Sequence, residues 1–370
     1  MRVIELGPQS REVEVLIQQL QAWNAIGVEW QNMAVLARQH DILHQLRASC
    51  ELLDIPVRHQ LSGGSLRRLV HVRECWRLLE QLRELETQPI NQQQMLAMLS
   101  PSESATSNGT MRPPLLNRWN HLLRGVINGC WNGLSPEVPV PALQLRSELM
   151  DALFEVGREF SLGTGVFLGT VHAAKGLEFD RVLLPSRGWD RALETAGERE
   201  EERRLFYVGC TRPRHELVVL AGRTHALARE LYGDQVIAVP TPESRTLLKL
   251  PNEVRYKVLE LGDIHLGYPS HFAAAHRIHQ EIAQTQAGDN VELRLSNDKV
   301  VIFARGQKIG MLSTKASEEW KNLLGDIERA TVIAFVARFA DQGTVPGGLP
   351  PQVAQWEVPI IELKFYQSRA

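Results

Sequence analysis

Gly169-Thr170-Val171-His172-Ala173-Ala174-Lys175-Gly176-Leu177-Glu178-Phe179-Asp180 and Glu201-Glu202-Arg203-Arg204-Leu205-Phe206-Tyr207-Val208-Gly209-Cys210-Thr211-Arg212 are the two stretches that decide how this chain is read. The first follows a short apolar run, Val166–Val171, and leads into another, Val182–Leu184. The second has helical spacing over about 199–210 and stands before a third apolar run, Leu217–Leu220. Short buried strands alternating with helices predict an α/β layer with parallel strands. Working outward, the same alternation occurs near the N-terminus. A helix is predicted over 11–26, a strand at Met33–Ala37, a helix over Asp41–Leu53 and an extended piece at Ile55-Pro56-Val57. Between the two α/β portions the texture changes at Gly63-Gly64. Residues 66–99 read as wholly helical, 100–114 as a Ser/Pro/Gly-rich loop, and 115–125 and 141–158 as further helices.

Past a Pro- and Thr-rich linker at about 238–250, strand signals dominate: Val291–Leu295, Val300–Ala304, Ile309–Leu312, Thr331–Arg338 and Val358–Phe365. Helices over 271–284 and 316–325 punctuate them. The expected organisation is a discontinuous α/β domain (1–64 and 159–240), a helical insertion (65–158) and a small β-rich domain (251–370), barrel-like or α+β.

Composition narrows the function classes. The 370 residues are 44% hydrophobic with net charge −2, so no global basic field advertises a polyanion partner. Cys50, Cys75, Cys130 and Cys210 are far apart and form no CxxC pair, which argues against a zinc site or disulfide framework and suits a reducing cytoplasm. No metal-ligand set is read, and no apolar run is long enough for a membrane span. Basic residues are mostly Arg, and the first lysine is Lys175. No lysine precedes Ser or Thr, so the Gly-Lys-Ser/Thr loop that holds nucleotide phosphates and Mg²⁺ is absent. No Asp-Glu dipeptide occurs either.

The two opening stretches resemble motifs V and VI of UvrD/Rep/PcrA-type superfamily 1 DNA helicases, in the right order and separation, and Met33–Arg58 resembles the strand and helix that the family places before its own helical insertion. The likeness covers about residues 1–225. It implies a RecA-like second motor domain, with ATP and Mg²⁺ bound only when an N-terminal RecA-like domain completes the site in cis or in trans. It also implies single-stranded DNA as partner and 3′ to 5′ movement.

The resemblance assigns roles residue by residue. Arg212 is expected to be the arginine finger, since a permanently charged planar fork suits a transferring phosphoryl group. Its bland alternative is a helix-terminal arginine paired with Glu201 or Glu202. Glu178 is expected at the nucleotide ribose, against a solvated loop carboxylate. Lys175 and Gly176 form the turn beside the nucleotide, where a glycine lets backbone approach phosphate. Thr170 and His172 are expected to face the DNA backbone, although a lone histidine is more often a core residue. Arg38 is a further candidate for the DNA backbone, against a solvated arginine. Arg204 reads as a structural ion-pair partner. Tyr207 is expected to pack the helix or link the two sites, against a purely core role. Trp76, Trp119 and Trp131 offer either base stacking or core packing.

In the C-terminal portion, Gly288–Leu293, Asn297–Ile302 and Gly306-Gln307-Lys308-Ile309-Gly310-Met311-Leu312 resemble a HIRAN-type domain. Lys299, Lys308, Lys315 and Lys321 suggest a basic face, diluted by Glu318 and Glu319. Two functions follow: the C-terminal part of an ATP-dependent DNA helicase, inactive alone, or a non-catalytic nucleic-acid- or protein-binding module built on the same scaffold.

Overall fold

In a computed structural model the described residues are 1–5, 12–60, 69–99, 114–158, 161–162, 165–189, 195–221, 227, 237–240, 253–342 and 350–366. The Gly63-Gly64 break, most of the 100–114 loop and the 241–250 part of the linker fall outside them. The chain divides into two compact units. One holds residues 1–60 and 161–255, and the other 61–160 and 256–366.

The first unit contains β1 (Arg2–Glu5), α1 (Glu12–Ala25), β2 (Met33–Ala37), α2 (His40–Leu52) and β3 (Val57–Gln60). The second unit begins with α3 (Arg73–Glu84), β4 (Pro89–Ile90), α4 (Gln92–Met98), α5 (Pro114–Cys130), β5 (Val140–Pro141) and α6 (Ala142–Arg158). The first unit then resumes with β6 (Ser161–Leu162), β7 (Val166–Thr170), β8 (Phe179–Leu184), α7 (Ala196–Cys210), β9 (Pro213–Ala221) and β10 (Ile237–Pro240).

These strands form an eight-stranded sheet in the order β10-β1-β9-β8-β2-β7-β3-β6. All its pairings are parallel except β3 with β6. Every residue of central β2 is buried, as a strand covered on both faces requires. On one face Leu16, Leu20 and Trp23 of α1 and Ile42, Leu46 and Cys50 of α2 pack on Val35, Leu168 and Leu183. On the other, Phe206 of α7 and Trp189 pack with Ala34, Leu36, Phe167 and Phe179. The expected α/β layer with parallel strands is present. β1 and β10 had no counterpart in the sequence reading. β1 has only Val3 and Ile4 between charged residues, too short for a periodic signal, and β10 lies where a linker was read.

The expectation of one helical run over 66–99 is corrected. Leu69–His71 is a 3₁₀ turn, and α3 and α4 are separated by β4, which pairs with β5. Pro89 breaks the helix, and Asn91 restarts it through a reciprocal capping box with Gln94.

The second unit continues with β11 (Val254–Leu259), α8 (Arg277–Gln284), β12 (Asn290–Ser296), β13 (Lys299–Ala304), β14 (Gln307–Met311), α9 (Thr314–Trp320), β15 (Ile327–Phe339) and β16 (Gln355–Tyr366). Its sheet has the open order β11-β16-β15-β12-β13-β14, with β12–β13, β12–β15, β13–β14 and β15–β16 antiparallel. It is a separate antiparallel sheet with helices, and it shares its unit with the helical insertion rather than standing apart from it. Arg73 of α3 shows how. Its guanidinium lies 3.7 Å from the Phe335 ring centre and bonds Glu357 Oε2 at 2.8 Å and the Ile282 carbonyl at 2.7 Å. Trp119 of α5 donates to the Ile333 carbonyl at 2.9 Å. Trp119 and Trp131 are both buried, so their indoles pack the unit rather than offering a stacking face. No helix among the described residues is long and apolar enough to cross a membrane.

Candidate nucleotide and nucleic-acid site

Parallel pairing fixes where each candidate residue stands. Thr170 ends β7 opposite Ala37, which ends β2. Arg38 follows directly, so Thr170 and Arg38 lie at the carboxyl edge of the sheet. Phe179 begins β8 opposite Pro213, which begins β9. Glu178 and Arg212 therefore lie at the amino edge, the opposite end. The segment 171–178 and helix α7 each run from one edge to the other.

Segment 171–178 is a compact series of turns. Val171 N–H donates to the Ala37 carbonyl at 3.0 Å, Ala174 N–H to the Thr170 carbonyl at 3.2 Å and Leu177 N–H to the Ala174 carbonyl at 3.0 Å. Thr170 Oγ1 accepts from Ala173 N–H at 3.3 Å, so its hydroxyl oxygen holds the first turn. Gly176 sits at φ +88°, a conformation that L side chains rarely adopt. Val171 and Ala174 are buried, whereas His172, Lys175, Gly176 and Glu178 are exposed.

Helix α7 starts at Thr195, whose side chain and Glu198 form a capping box. Gly209 lets it lie close to the sheet. A Cβ there would meet Leu184 Cδ2 at 3.0 Å and Val171 Cγ2 at 3.3 Å. Midway along it, Glu202 is 5% exposed and takes a two-pronged ion pair from Arg38, with Nη2 to Oε1 at 2.7 Å and Nε to Oε2 at 2.9 Å. The hydrogen bonds that Arg38 donates to Glu202 raise its pKa above the ordinary value, against the lowering effect of burial. The sequence reading placed Arg38 at the DNA backbone, or in solvent. Its guanidinium is instead held by a buried carboxylate, a partner 164 residues away in sequence.

Arg212, just past the helix, is held by oxygens without charge. Nε donates to the Val208 carbonyl at 2.9 Å, Nη1 to the Leu177 carbonyl at 3.3 Å and Nη2 to Thr211 Oγ1 at 2.9 Å. The Arg212 carbonyl accepts from Phe179 N–H at 3.0 Å. Among the described residues Arg212 has no carboxylate partner, so the pairing with Glu201 or Glu202 is not made. Three of its five N–H groups are used to aim it, and the charge stays uncompensated. Glu178 pairs with Arg214 at 3.2 Å, both groups more than half exposed. Arg214 was not read as a site residue, since it lies just outside the motif. Arg204 pairs with Glu200 at 3.1 Å on the helix surface. Tyr207 is 68% exposed, which corrects the expectation of a core role. Cys210 is half-buried near Arg212, and burial pushes its thiol up to about 12.

These residues fit part of a nucleotide. Arg212 offers unpaired N–H groups to an anionic oxygen, and Glu178 an acceptor at the same edge. Among the described residues no group of three or more His, Cys, Asp or Glu could hold a metal ion. The phosphate loop and metal carboxylates would have to come from another domain.

Residues 150–224 match the family UvrD-like helicase C-terminal domain. The chain is 34% identical over 144 residues to a probable DNA helicase II homologue of Rickettsia felis, an alignment covering 36% of this chain and 19% of that protein. It is 42% identical over 100 residues to the ATP-dependent DNA helicase UvrD1 of Mycobacterium bovis, covering 25% and 12%. The matches thus span about a fifth or less of these relatives' lengths. Among solved structures, the C-terminal domain of a possible DNA helicase from Lactobacillus plantarum aligns over 64% of this chain and 83% of its own, with TM-score 0.30 and 13% identity, too distant to carry an argument about the fold. Residues 150–224, which hold both opening stretches, thus match the C-terminal domain of UvrD/Rep-like superfamily 1 helicases.

Proposed function

We propose that this chain is the responding half of an ATP-dependent DNA helicase or translocase, completed by an N-terminal RecA-like domain in cis or in trans. The observation that supports this reading most directly is the path of α7 and segment 171–178. Both join the two edges of the sheet, with the Arg38–Glu202 pair midway along α7 and Arg212 just past its C-terminal end. From Glu202 to Cys210 is about 12 Å of helix. A force applied to Arg212 at a nucleotide is therefore carried by packed backbone to the loop at Thr170 and His172.

In this reading ATP supplies the γ-phosphoryl group and Mg²⁺ the charge neutralisation, both held mainly by the other domain. Arg212 stabilises charge on the transferring phosphoryl oxygens. Glu178 accepts from a ribose hydroxyl, exchanging Arg214 for it. Gly176 admits the nucleotide to the backbone, with Lys175 beside it. Thr170 and His172 touch the backbone of single-stranded DNA. Arg38 acts as an anchor for α7 rather than as a DNA contact. The domain reading, 1–64 with 159–240 as a RecA-like domain around a helical insertion at 65–158, belongs to the same proposal.

The test is ATP hydrolysis with and without single-stranded DNA. The pure 370-residue chain is expected to be inactive, and to support DNA-stimulated hydrolysis once the N-terminal motor domain is supplied. That activity is expected to vanish with Arg212→Ala. Hydrolysis by the pure chain, lost on Arg212→Ala, would overturn the division of labour. The absent phosphate loop favours a second reading, a non-catalytic module. ATP-independent, salt-sensitive single-strand binding, with no activity in any combination, would select it.

A further inference from the structure

Strands β12 and β15 belong to one sheet yet pair over only two residues, Asn290 with Thr331 and Val291 with Ala330. Beyond Val291 the β12–β13 hairpin leaves β15. The next rung, Leu293 opposite Glu328, is not formed. The hairpin explains which groups this exposes. Its turn residues Asn297 and Asp298 have φ of 50° and 57°, the pattern of a two-residue type I′ turn. Such a turn makes Ser296 and Lys299 a hydrogen-bonded pair, so alternation directs the N–H and C=O of Ser296, Arg294 and Glu292 to β13. Those of Leu293 and Leu295 point away from β13, into the gap. On the other wall, Ile327 and Arg329 are committed to β16 through Phe365 and Lys364.

The gap is a cleft of about 320 Å³ lined by Asn290–Arg294, Leu324 and Ile327–Ala330. Its apolar groups are half-buried Leu293, Leu324 and Ile327, with Leu295 51% exposed and Leu323 37% exposed alongside. Its charges balance. Glu292 and Glu328 stand against Arg294 and Arg329; Glu292 pairs with Arg294, and Glu328 with Lys364 at 2.9 Å.

We propose that this cleft binds an extended peptide from a partner protein, which pairs as an additional strand with the open edge of β12 and places alternate apolar side chains against Leu293, Leu324 and Ile327. Main-chain pairing supplies the affinity and the apolar alternation the selectivity. The nearly balanced charge disfavours a nucleic-acid strand, which needs a positive wall. The inference is independent of the nucleotide reading.

The experiment titrates the full chain into a labelled, end-blocked octapeptide of alternating valine and threonine, followed by anisotropy. The same peptide with alternate backbone nitrogens methylated serves as comparison. Saturable binding is expected, weakened at least tenfold by N-methylation, together with slowed hydrogen exchange at Leu293 and Leu295. Leu293→Pro removes the donor that faces the cleft, and Ile327→Lys charges its floor. Each is expected to weaken binding tenfold while thermal unfolding stays within a few degrees. Should one variant fail to fold, the methylated peptide and the other variant still decide. Equal binding of both peptides, no saturable binding, displacement of the peptide by oligothymidylate, or self-association through this edge in place of peptide binding would each overturn the proposal.

Discussion

Arg38, at the carboxyl end of β2, grips the buried Glu202 of α7 through two nitrogens, Nη2 to Oε1 at 2.7 Å and Nε to Oε2 at 2.9 Å. This pair fixes the middle of the helix whose C-terminal end leads to Arg212. Removing one member leaves a charge that folding has largely desolvated. Arg38→Ala is expected to cost about 3 kcal/mol in urea unfolding at pH 7. Arg38→Met with Glu202→Leu is expected to recover much of that loss. Additive losses in the double variant would show that the two residues act separately.

The role proposed for Arg212 can be separated from the fold. Arg212 is held by carbonyl and hydroxyl oxygens and has no carboxylate partner among the described residues, so its loss leaves no buried charge. In the completed motor, Arg212→Ala is expected to lower kcat for ATP hydrolysis by roughly 10³-fold or more with a smaller effect on KM. Arg212→Lys should not restore the rate, because an ammonium cannot keep the Val208 and Leu177 carbonyls while reaching a phosphate. A kcat within tenfold of the parent for either variant would refute the assignment.

Arg73 is 3% exposed and burial lowers its pKa, with Glu357 acting in the opposite direction. Arg73→Ala leaves the Glu357 carboxylate with only the longer pairing to exposed Arg77 at 3.7 Å, and strands the Ile282 carbonyl. A loss of about 3–5 kcal/mol is expected in the unfolding of the second unit. Arg73→Met, which keeps the contact with Phe335, is expected to lose less. Calorimetry on the full chain reads both, and an unchanged transition in Arg73→Ala would contradict the staple.

His44 of α2 has its pKa lowered to about 4, first by burial, then by Arg255, His40 and Arg47, with Asp41 opposing. The folded chain then refuses a proton that the unfolded chain accepts below about pH 6.5. This group contributes nothing above that pH, and stability falls as pH drops from about 6.5 towards 4. The full effect is about 2–3 kcal/mol. His44→Gln is expected to flatten this part of the profile between pH 7 and 4.5. An identical profile in the variant would exclude His44 as its source.

Cys210 offers a probe of α7. With a thiol raised to about 12 by burial, roughly one molecule in 10⁴ carries the thiolate at pH 8. Alkylation of folded protein is expected to be at least a hundredfold slower than in urea, and to quicken in Arg38→Ala if the helix loosens.

Much of this protein was legible before folding. The apolar runs of β2, β7 and β8 announced parallel strands because a strand buried on both faces needs an unbroken apolar stretch. Motifs V and VI carried the family, and the lysine inventory excluded a phosphate loop. Local signals overlooked at Pro89 and at the Asn91–Gln94 capping box would have divided the 66–99 helix. In contrast, the sequence read Arg38 as a DNA contact and gave Arg212 a choice between a phosphate and a neighbouring glutamate. Only the strand order, which lays β8 beside β2 and β9 beside β8, brings Glu202 to Arg38 and leaves Arg212 without a carboxylate among the described residues. It also sets Thr170 and Arg212 at opposite edges of one sheet. Periodicity records which face of an element is buried, and it acts over a few residues. The partner of a charge is set by distance in space, and for Arg38 with Glu202, or Arg73 with Glu357, that distance exists only after the chain has folded.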